Sequence, residues 1–187
     1  MSSTLLTREE LAAAIRETAV LEGDFVLRSG RRSRYYLDKY RLGTNPMLLS
    51  ALGAALAQAA AELEPAAERL AAPELGAVSL AAAAALSGGL PFVIVRKQAK
   101  SYGTANRIEG SYQRGERVCL VEDVVTSGGA ALEAIAALRA ERLVVESAVC
   151  VLDRDEGGAQ ALAEAGVRLR ALYHAQDVWP APAAAHG

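Results

Sequence analysis

Five short apolar runs, at 69–72, 92–95, 117–121, 143–152 and 167–173, alternate along most of this chain with alanine-rich helical stretches at about 78–87, 129–140 and 158–165. Strands that alternate with helices pair in parallel, and the helices cover the faces of the sheet. The pattern therefore predicts an α/β domain built on a parallel, doubly wound, Rossmann-like sheet. In such a sheet ligands bind at the carboxyl ends of the strands, so function is to be sought in the residues just after each apolar run.

The 187 residues are 52% hydrophobic, with 20 Lys+Arg against 22 Asp+Glu, which fits one domain with a sizeable core. So balanced a charge argues against a disordered chain and against a protein that coats nucleic acid by neutralising phosphates. Any polyanionic ligand must be met by a local basic cluster. The cations are 17 arginines and three lysines, and two of those lysines share the segment Arg96-Lys97-Gln98-Ala99-Lys100. That segment is either a place where a compact ammonium is needed or a solvated loop. Cys119 and Cys150 lie in apolar runs and read as buried thiols; with no CxxC and only His174 and His186, structural zinc is not expected. The opening MSSTLLTREE lacks an apolar core of signal-peptide length, which points to the reducing cytoplasm. Residues 75–95 are uncharged and long enough to span a membrane, but they are alanine-rich and cut by Ser87-Gly88-Gly89-Leu90-Pro91, so they read as a buried helix followed by a buried strand.

Thr7 and Glu10 form a capping box that opens a helix to about Val20, with Leu11, Ile15 and Ala19 on one face. Strand-like runs at 25–27 and 35–37 flank Ser29-Gly30-Arg31-Arg32-Ser33 as a hairpin. Asn45-Pro46 launches a helix to about Glu62 with Leu48, Leu49, Leu52 and Leu56 inward. Residues 1–45 thus form a small N-terminal unit and 46–173 the α/β core, while 180–187 read as a disordered tail. The stretch 97–115 carries Gly103, Gly110 and Gly115 without an apolar period and reads as a long functional loop.

The sharpest local signal is Val118-Cys119-Leu120-Val121-Glu122-Asp123-Val124-Val125-Thr126-Ser127-Gly128-Gly129-Ala130. A buried strand ends in two adjacent carboxylates, which can accept hydrogen bonds from vicinal hydroxyls such as those of a ribose. The Thr-Ser-Gly-Gly turn then exposes backbone N–H groups at a helix N-terminus, where the dipole favours phosphate. Together they describe a site for ribose 5-phosphate. The string is neither a Walker A loop nor a GxGxxG fingerprint. Taken alone, the two acids read as an ordinary strand-turn-helix corner with solvated charges.

This string resembles the phosphoribosyl pyrophosphate (PRPP) motif of the type I phosphoribosyltransferases. Three further segments, in order along the chain, are similar to the orotate phosphoribosyltransferases. They are Phe25-Val26-Leu27-Arg28-Ser29-Gly30-Arg31-Arg32-Ser33-Arg34-Tyr35-Tyr36-Leu37-Asp38 in the N-terminal hood, Val95-Arg96-Lys97-Gln98-Ala99-Lys100-Ser101-Tyr102-Gly103-Thr104 in the catalytic loop, and Val151-Leu152-Asp153-Arg154-Asp155-Glu156-Gly157-Gly158 at the strand end that holds orotate. The resemblance implies the type I phosphoribosyltransferase fold with a small hood, and transfer of ribose 5-phosphate from PRPP to orotate in pyrimidine biosynthesis. It implies Lys100, Arg96, Lys97 and Tyr102 as catalytic residues facing the pyrophosphate leaving group, where a lysine delivered by a closing loop counts most as charge develops. Residues Glu122, Asp123, Val124, Val125, Thr126, Ser127, Gly128, Gly129 and Ala130 would bind PRPP. Thr126, Arg154, Arg28, Tyr35 and Tyr36 would bind orotate, with Arg154 on its carboxylate. An ion pair of Arg154 with Asp153 or Asp155, and plain hairpin packing of the tyrosines, are the ordinary alternatives. Mg²⁺ would be held mainly by PRPP oxygens and water, with no direct protein ligand. The resemblance also implies a homodimer with shared active sites and no nucleic-acid or membrane partner. At 187 residues a single activity is expected, with no fused decarboxylase. A purine-base phosphoribosyltransferase and a non-catalytic PRPP-sensing regulator of the same fold are the alternatives. The chain departs from the family pattern at Arg28, where lysine is frequent, at Tyr102, where histidine is frequent, and at Glu74 and Ala77 in the segment aligned with the pyrophosphate loop.

Overall fold

The structure is a computed structural model that describes residues 6–26, 30, 32–98 and 107–179. Arg28, Lys100, Tyr102 and the tail 180–187 lie outside the described residues. The chain begins with helix α1 (Arg8–Ala19), whose capping box is formed: the Thr7 side chain accepts from the Glu10 N–H while the Glu10 carboxylate accepts from the Thr7 N–H. Leu11, Ile15 and Ala19 are its buried face. Strands β1 (Val20–Val26) and β2 (Arg32–Leu37) pair antiparallel as the expected hairpin. Its first strand starts five residues earlier than the apolar run, because pairing continues past a bulge between Glu22 and Phe25 to the Val20–Leu37 pair. A short helix α2 (Tyr40–Thr44), unmarked in the sequence, leads to α3 (Pro46–Leu63), with Asn45 as the capping side chain and Pro46 in the first turn. Leu48, Leu52 and Leu56 are buried as read, while Leu49 is only partly so.

The rest is the α/β core: β3 (Arg69–Pro73), α4 (Gly76–Gly88), β4 (Phe92–Val95), β5 (Ile108–Glu109), β6 (Arg117–Val125), α5 (Gly129–Ala140), β7 (Val144–Asp153), α6 (Gly158–Glu164), β8 (Arg168–His174) and α7 (Ala175–Val178). The sheet order is β5-β4-β3-β6-β7-β8. Every pairing is parallel except that of β5 with β4. The parallel, doubly wound sheet is as read from the sequence, with one antiparallel edge strand that went unread because two residues are too few to show an alternation; Ile108 anchors it by burial. One apolar layer joins the sheet to α1, α3 and α4, and a second joins the opposite face to α5 and α6. The strand order reverses between β3 and β6, and the crevice at that switch point is where a doubly wound sheet binds its ligand. The fold thus directs attention to the residues after β3 and at the end of β6.

Helix α3 is long and apolar enough to cross a membrane, yet its apolar face is spent on packing inside the domain. Gly53 lets it approach α4 so closely that a Cβ there would lie 2.5 Å from Ala83 Cβ and 2.8 Å from the Ala83 carbonyl carbon. Gly53→Ala should therefore destabilise by about 1–3 kcal/mol, the usual cost of overpacking, despite alanine's higher helix propensity. Urea unfolding measures it, and a stabilised variant would show that the two helices can separate freely. Residues 75–95 form α4 and β4, the helix and strand read from sequence.

Candidate active site

A cavity of about 980 Å³ opens at the switch point. Its walls are the turn after β3 with the start of α4 (Pro73 to Ala77), the end of β4 with Arg96 to Gln98, the run from Glu122 through Ala131, and Arg154 with Glu156. The four sequence segments singled out above contribute unequally. All nine residues from Glu122 to Ala130 line the cavity, as do Arg96, Lys97 and Arg154. Tyr35 and Tyr36 are not among its lining residues, and Tyr36 is exposed and tilts against Phe25 at 5.5 Å within the hairpin.

Strand β6 does not stop at the carboxylates, as the sequence reading had it, but runs through them to Val125. Glu122 and Asp123 are only 6% and 2% exposed. Two buried neighbouring acids cannot both ionise cheaply, and burial followed by the Asp123 charge pushes the Glu122 carboxyl up to about 8. At neutral pH Glu122 keeps its proton and can donate one hydrogen bond, whereas a pair of ionised acids could only accept. A charge partner for the pair comes from a residue the sequence reading passed over. Lys39 Nζ lies 2.9 Å from Asp123 Oδ2. Burial works against the charged form of Lys39, but the charge and hydrogen bond of Asp123, with help from Glu122, outweigh it and raise its pKa.

Glu122 makes stability depend on pH. Between about 4.5 and 8 the unfolded chain has lost the proton that the folded chain retains, so stability falls as pH rises through that window. Glu122→Gln removes this cost. The variant should gain on the order of 4 kcal/mol over the wild type at pH 8 relative to pH 4.5, at roughly 1.4 kcal/mol per tenfold change in proton affinity. Urea unfolding at the two pH values reads it, and a gain independent of pH would show Glu122 ionised in the folded state.

Two helices begin at the cavity without a side-chain cap. Helix α5 starts at Gly128 and α4 at Leu75, and neither has its first N–H groups satisfied by a side chain. Helices α1 and α3, which do not border the cavity, are closed by Thr7 and Asn45. An uncapped N-terminus with the dipole behind it is a ready anion site, and both of these border the cavity that the acid pair lines. The turn before α5 is set by Gly128, at φ +81°, packed against Gly158, where a Cβ would meet the Thr126 carbonyl at 2.4 Å. Glu74, one of the departures from the family pattern, is turned toward the basic segment: it accepts from the Lys97 N–H at 2.8 Å and faces Arg96 at 3.8 Å. Arg96 also meets Glu109 at 3.6 Å. Arg154, at the end of β7, pairs with Glu156 at 2.9 Å, not with Asp153 or Asp155, and sits 6.0 Å from the Trp179 ring, which was not singled out from the sequence.

Among the described residues, Asp153, Asp155 and His174 bring metal-ligating atoms within 4.8 Å of one another. Their contacts are already made internally: His174 Nδ1 meets Asp155 at 2.7 Å, and Asp153 accepts from the Asp155 N–H. In the cavity the buried oxygen donors are a protonated Glu122 and an Asp123 paired with Lys39. That donor set is not a protein cage, and it fits a Mg²⁺ ion that arrives on phosphate oxygens with its own waters. Cys119 and Cys150 are free, buried thiols, and burial pushes Cys119 up to about 11.

The phosphoribosyl transferase domain family model matches residues 41–166. A protein of Methanocella arvoryzae named orotate phosphoribosyltransferase is 48% identical over 90% of this chain and 95% of its own. The chain belongs to the orotate phosphoribosyltransferase family. Among solved structures, the Mycobacterium tuberculosis orotate phosphoribosyltransferase in complex with Fe(III) dicitrate superposes with a TM-score of 0.83 at 32% identity, covering 92% of this chain and 99% of that one. The same protein in complex with PRPP gives 0.78 at 31% identity, over 91% and 98%. The orotate phosphoribosyltransferase fold therefore extends over nearly the whole chain, and the type I reading of the sheet holds.

Proposed function

We infer that this orotate phosphoribosyltransferase transfers ribose 5-phosphate from PRPP to orotate, giving orotidine 5′-monophosphate and pyrophosphate in pyrimidine biosynthesis. The observation that carries the reading is the cavity at the switch point, which a paired acid couple, two uncapped helix N-termini, Arg96, Lys97 and Arg154 all line. PRPP is a ribose flanked by a phosphate and a pyrophosphate, and an acid pair sharing one cavity with two anion-binding helix ends supports that reading. The 5-phosphate would take the N–H groups of Ser127 to Ala130 at α5. The ribose hydroxyls would lie on Glu122 and Asp123. Pyrophosphate would face the start of α4 with Arg96 and Lys97, completed by Lys100 and Tyr102. Arg154 would hold the orotate carboxylate and Thr126 a ring carbonyl. Orotate's charge is its carboxylate, so N1 would give up its proton as the bond to ribose forms, and the departing pyrophosphate oxygens can take it; the work of the residues is to orient the two substrates and stabilise charge building on the leaving group.

Mg²⁺ dependence belongs to this proposal: bound to PRPP, the ion would neutralise the leaving group. So do a homodimer with shared active sites and a cytoplasmic location. Sedimentation equilibrium tests the dimer. Offering orotate, adenine, hypoxanthine and xanthine in turn with PRPP tests the base. Product from orotate alone supports the reading. Turnover of a purine and not of orotate overturns it, and tight PRPP binding without turnover of any base would make the protein a sensor.

A further inference from the structure

The segment that begins α4, Pro73-Glu74-Leu75-Gly76-Ala77-Val78, contains no cation, and its one charged side chain is the Glu74 carboxylate, turned onto Arg96 and Lys97. Lys39 comes to this place from the turn between β2 and α2. Its Cε lies 3.5 Å from where a Gly76 Cβ would be, so the side chain crosses the start of α4. Its ammonium touches Asp123 at 2.9 Å and lines the cavity, with 42% of the side chain still exposed. Arg96 and Arg154 face acids outside the ribose pair, Glu74 and Glu109 for the first and Glu156 for the second. Lys39 instead is coupled to the ribose-binding carboxylates themselves. An ammonium carries three donors, and Asp123 uses one.

We propose that Lys39 is a PRPP-binding residue with two tasks: one N–H holds Asp123 for the ribose, and the others meet pyrophosphate oxygens at the start of α4. The proposal rests on the transferase reading of the site. It gives that site the cation its α4 segment lacks and ties the hood to the leaving-group end of the substrate. A compact ammonium suits the task, since a guanidinium would need more room between Asp123 and the Gly76 backbone.

The test uses Lys39→Gln and Lys39→Met in the full chain, with the reverse reaction read as separate KM values for inorganic pyrophosphate and for orotidine 5′-monophosphate. Glutamine can still donate to Asp123 but carries no charge, so it should fold even where methionine leaves Asp123 buried and unpaired. A lost charge-assisted hydrogen bond should raise the pyrophosphate KM about 10- to 100-fold in both variants. The nucleotide KM, which reports the ribose and 5-phosphate, should change less than about threefold in Lys39→Gln. Lys39→Arg should recover part of the pyrophosphate affinity. An unchanged pyrophosphate KM in Lys39→Gln, or equal rises for pyrophosphate and nucleotide, would overturn the proposal and leave Lys39 as a structural partner of Asp123. Wild-type turnover is the control: a wild type inactive with orotate would instead remove the transferase reading.

Discussion

Replacing Gly76 by alanine is expected to lower kcat/KM for PRPP by about 100-fold or more, although Gly76 offers no side chain to the substrate. A Cβ at this position would lie 1.8 Å from Asp123 Oδ2 and 2.9 Å from its carboxyl carbon. The carboxylate has little freedom to yield, because it is buried, held by Lys39 and accepting from the Val124 N–H. It must swing by more than an ångström, and a displacement of that size in a positioning group costs on the order of 10² in rate. Alanine favours the helix over glycine by about 1 kcal/mol, which offsets part of the crowding, so the variant should fold and fail chiefly in catalysis. Circular dichroism with steady-state kinetics separates the two. Wild-type kinetics from a folded Gly76→Ala protein would mean that the place of Asp123 against α4 is not needed for the ribose.

Arg154→Ala is expected to cut kcat/KM for orotate by about 10²–10³-fold, the scale of losing two charge-assisted hydrogen bonds to a planar carboxylate. The backbone here is fixed, since the Arg154 N–H bonds to the Val125 carbonyl at 2.9 Å and joins the ends of β6 and β7. The sheet thus fixes where Arg154 leaves the backbone, at the edge of the cavity that Thr126 also lines. Glu156 holds the guanidinium at 2.9 Å and must give way to the substrate carboxylate. Separate KM values decide the matter: the PRPP value should stay within a few-fold of wild type while the orotate term collapses. A fall shared equally by both substrates would place Arg154 in the framework of the strand end and not on orotate.

The strands and core helices were legible because each carries its own period or apolar run, and β4 and α5 match the reading residue for residue. What escaped depends on partners distant in sequence or on elements too short to have a period. Two charges read as the end of β6, yet the strand continues because Glu122 sheds its charge through burial and Asp123 finds Lys39. Lysine scarcity drew attention to Lys97 and Lys100; nothing local marks Lys39, whose importance comes from the packing of the hood junction against the start of α4. The tyrosines of the hairpin were ambiguous from the outset, since alternation says which residues share a face but not what that face meets. The turn before α5 was the most legible part of the site, because its exposed N–H groups are a backbone property written locally in small residues.

The most direct measurement is the ultraviolet absorbance of orotate on mixing with the purified protein, PRPP and Mg²⁺, each component being omitted in turn. The expected result is a fall in absorbance that requires protein, PRPP and Mg²⁺ together and stops when either substrate is exhausted. A flat trace from folded protein that binds PRPP would contradict orotate transfer, and a full fall without Mg²⁺ would contradict the metal's place in it.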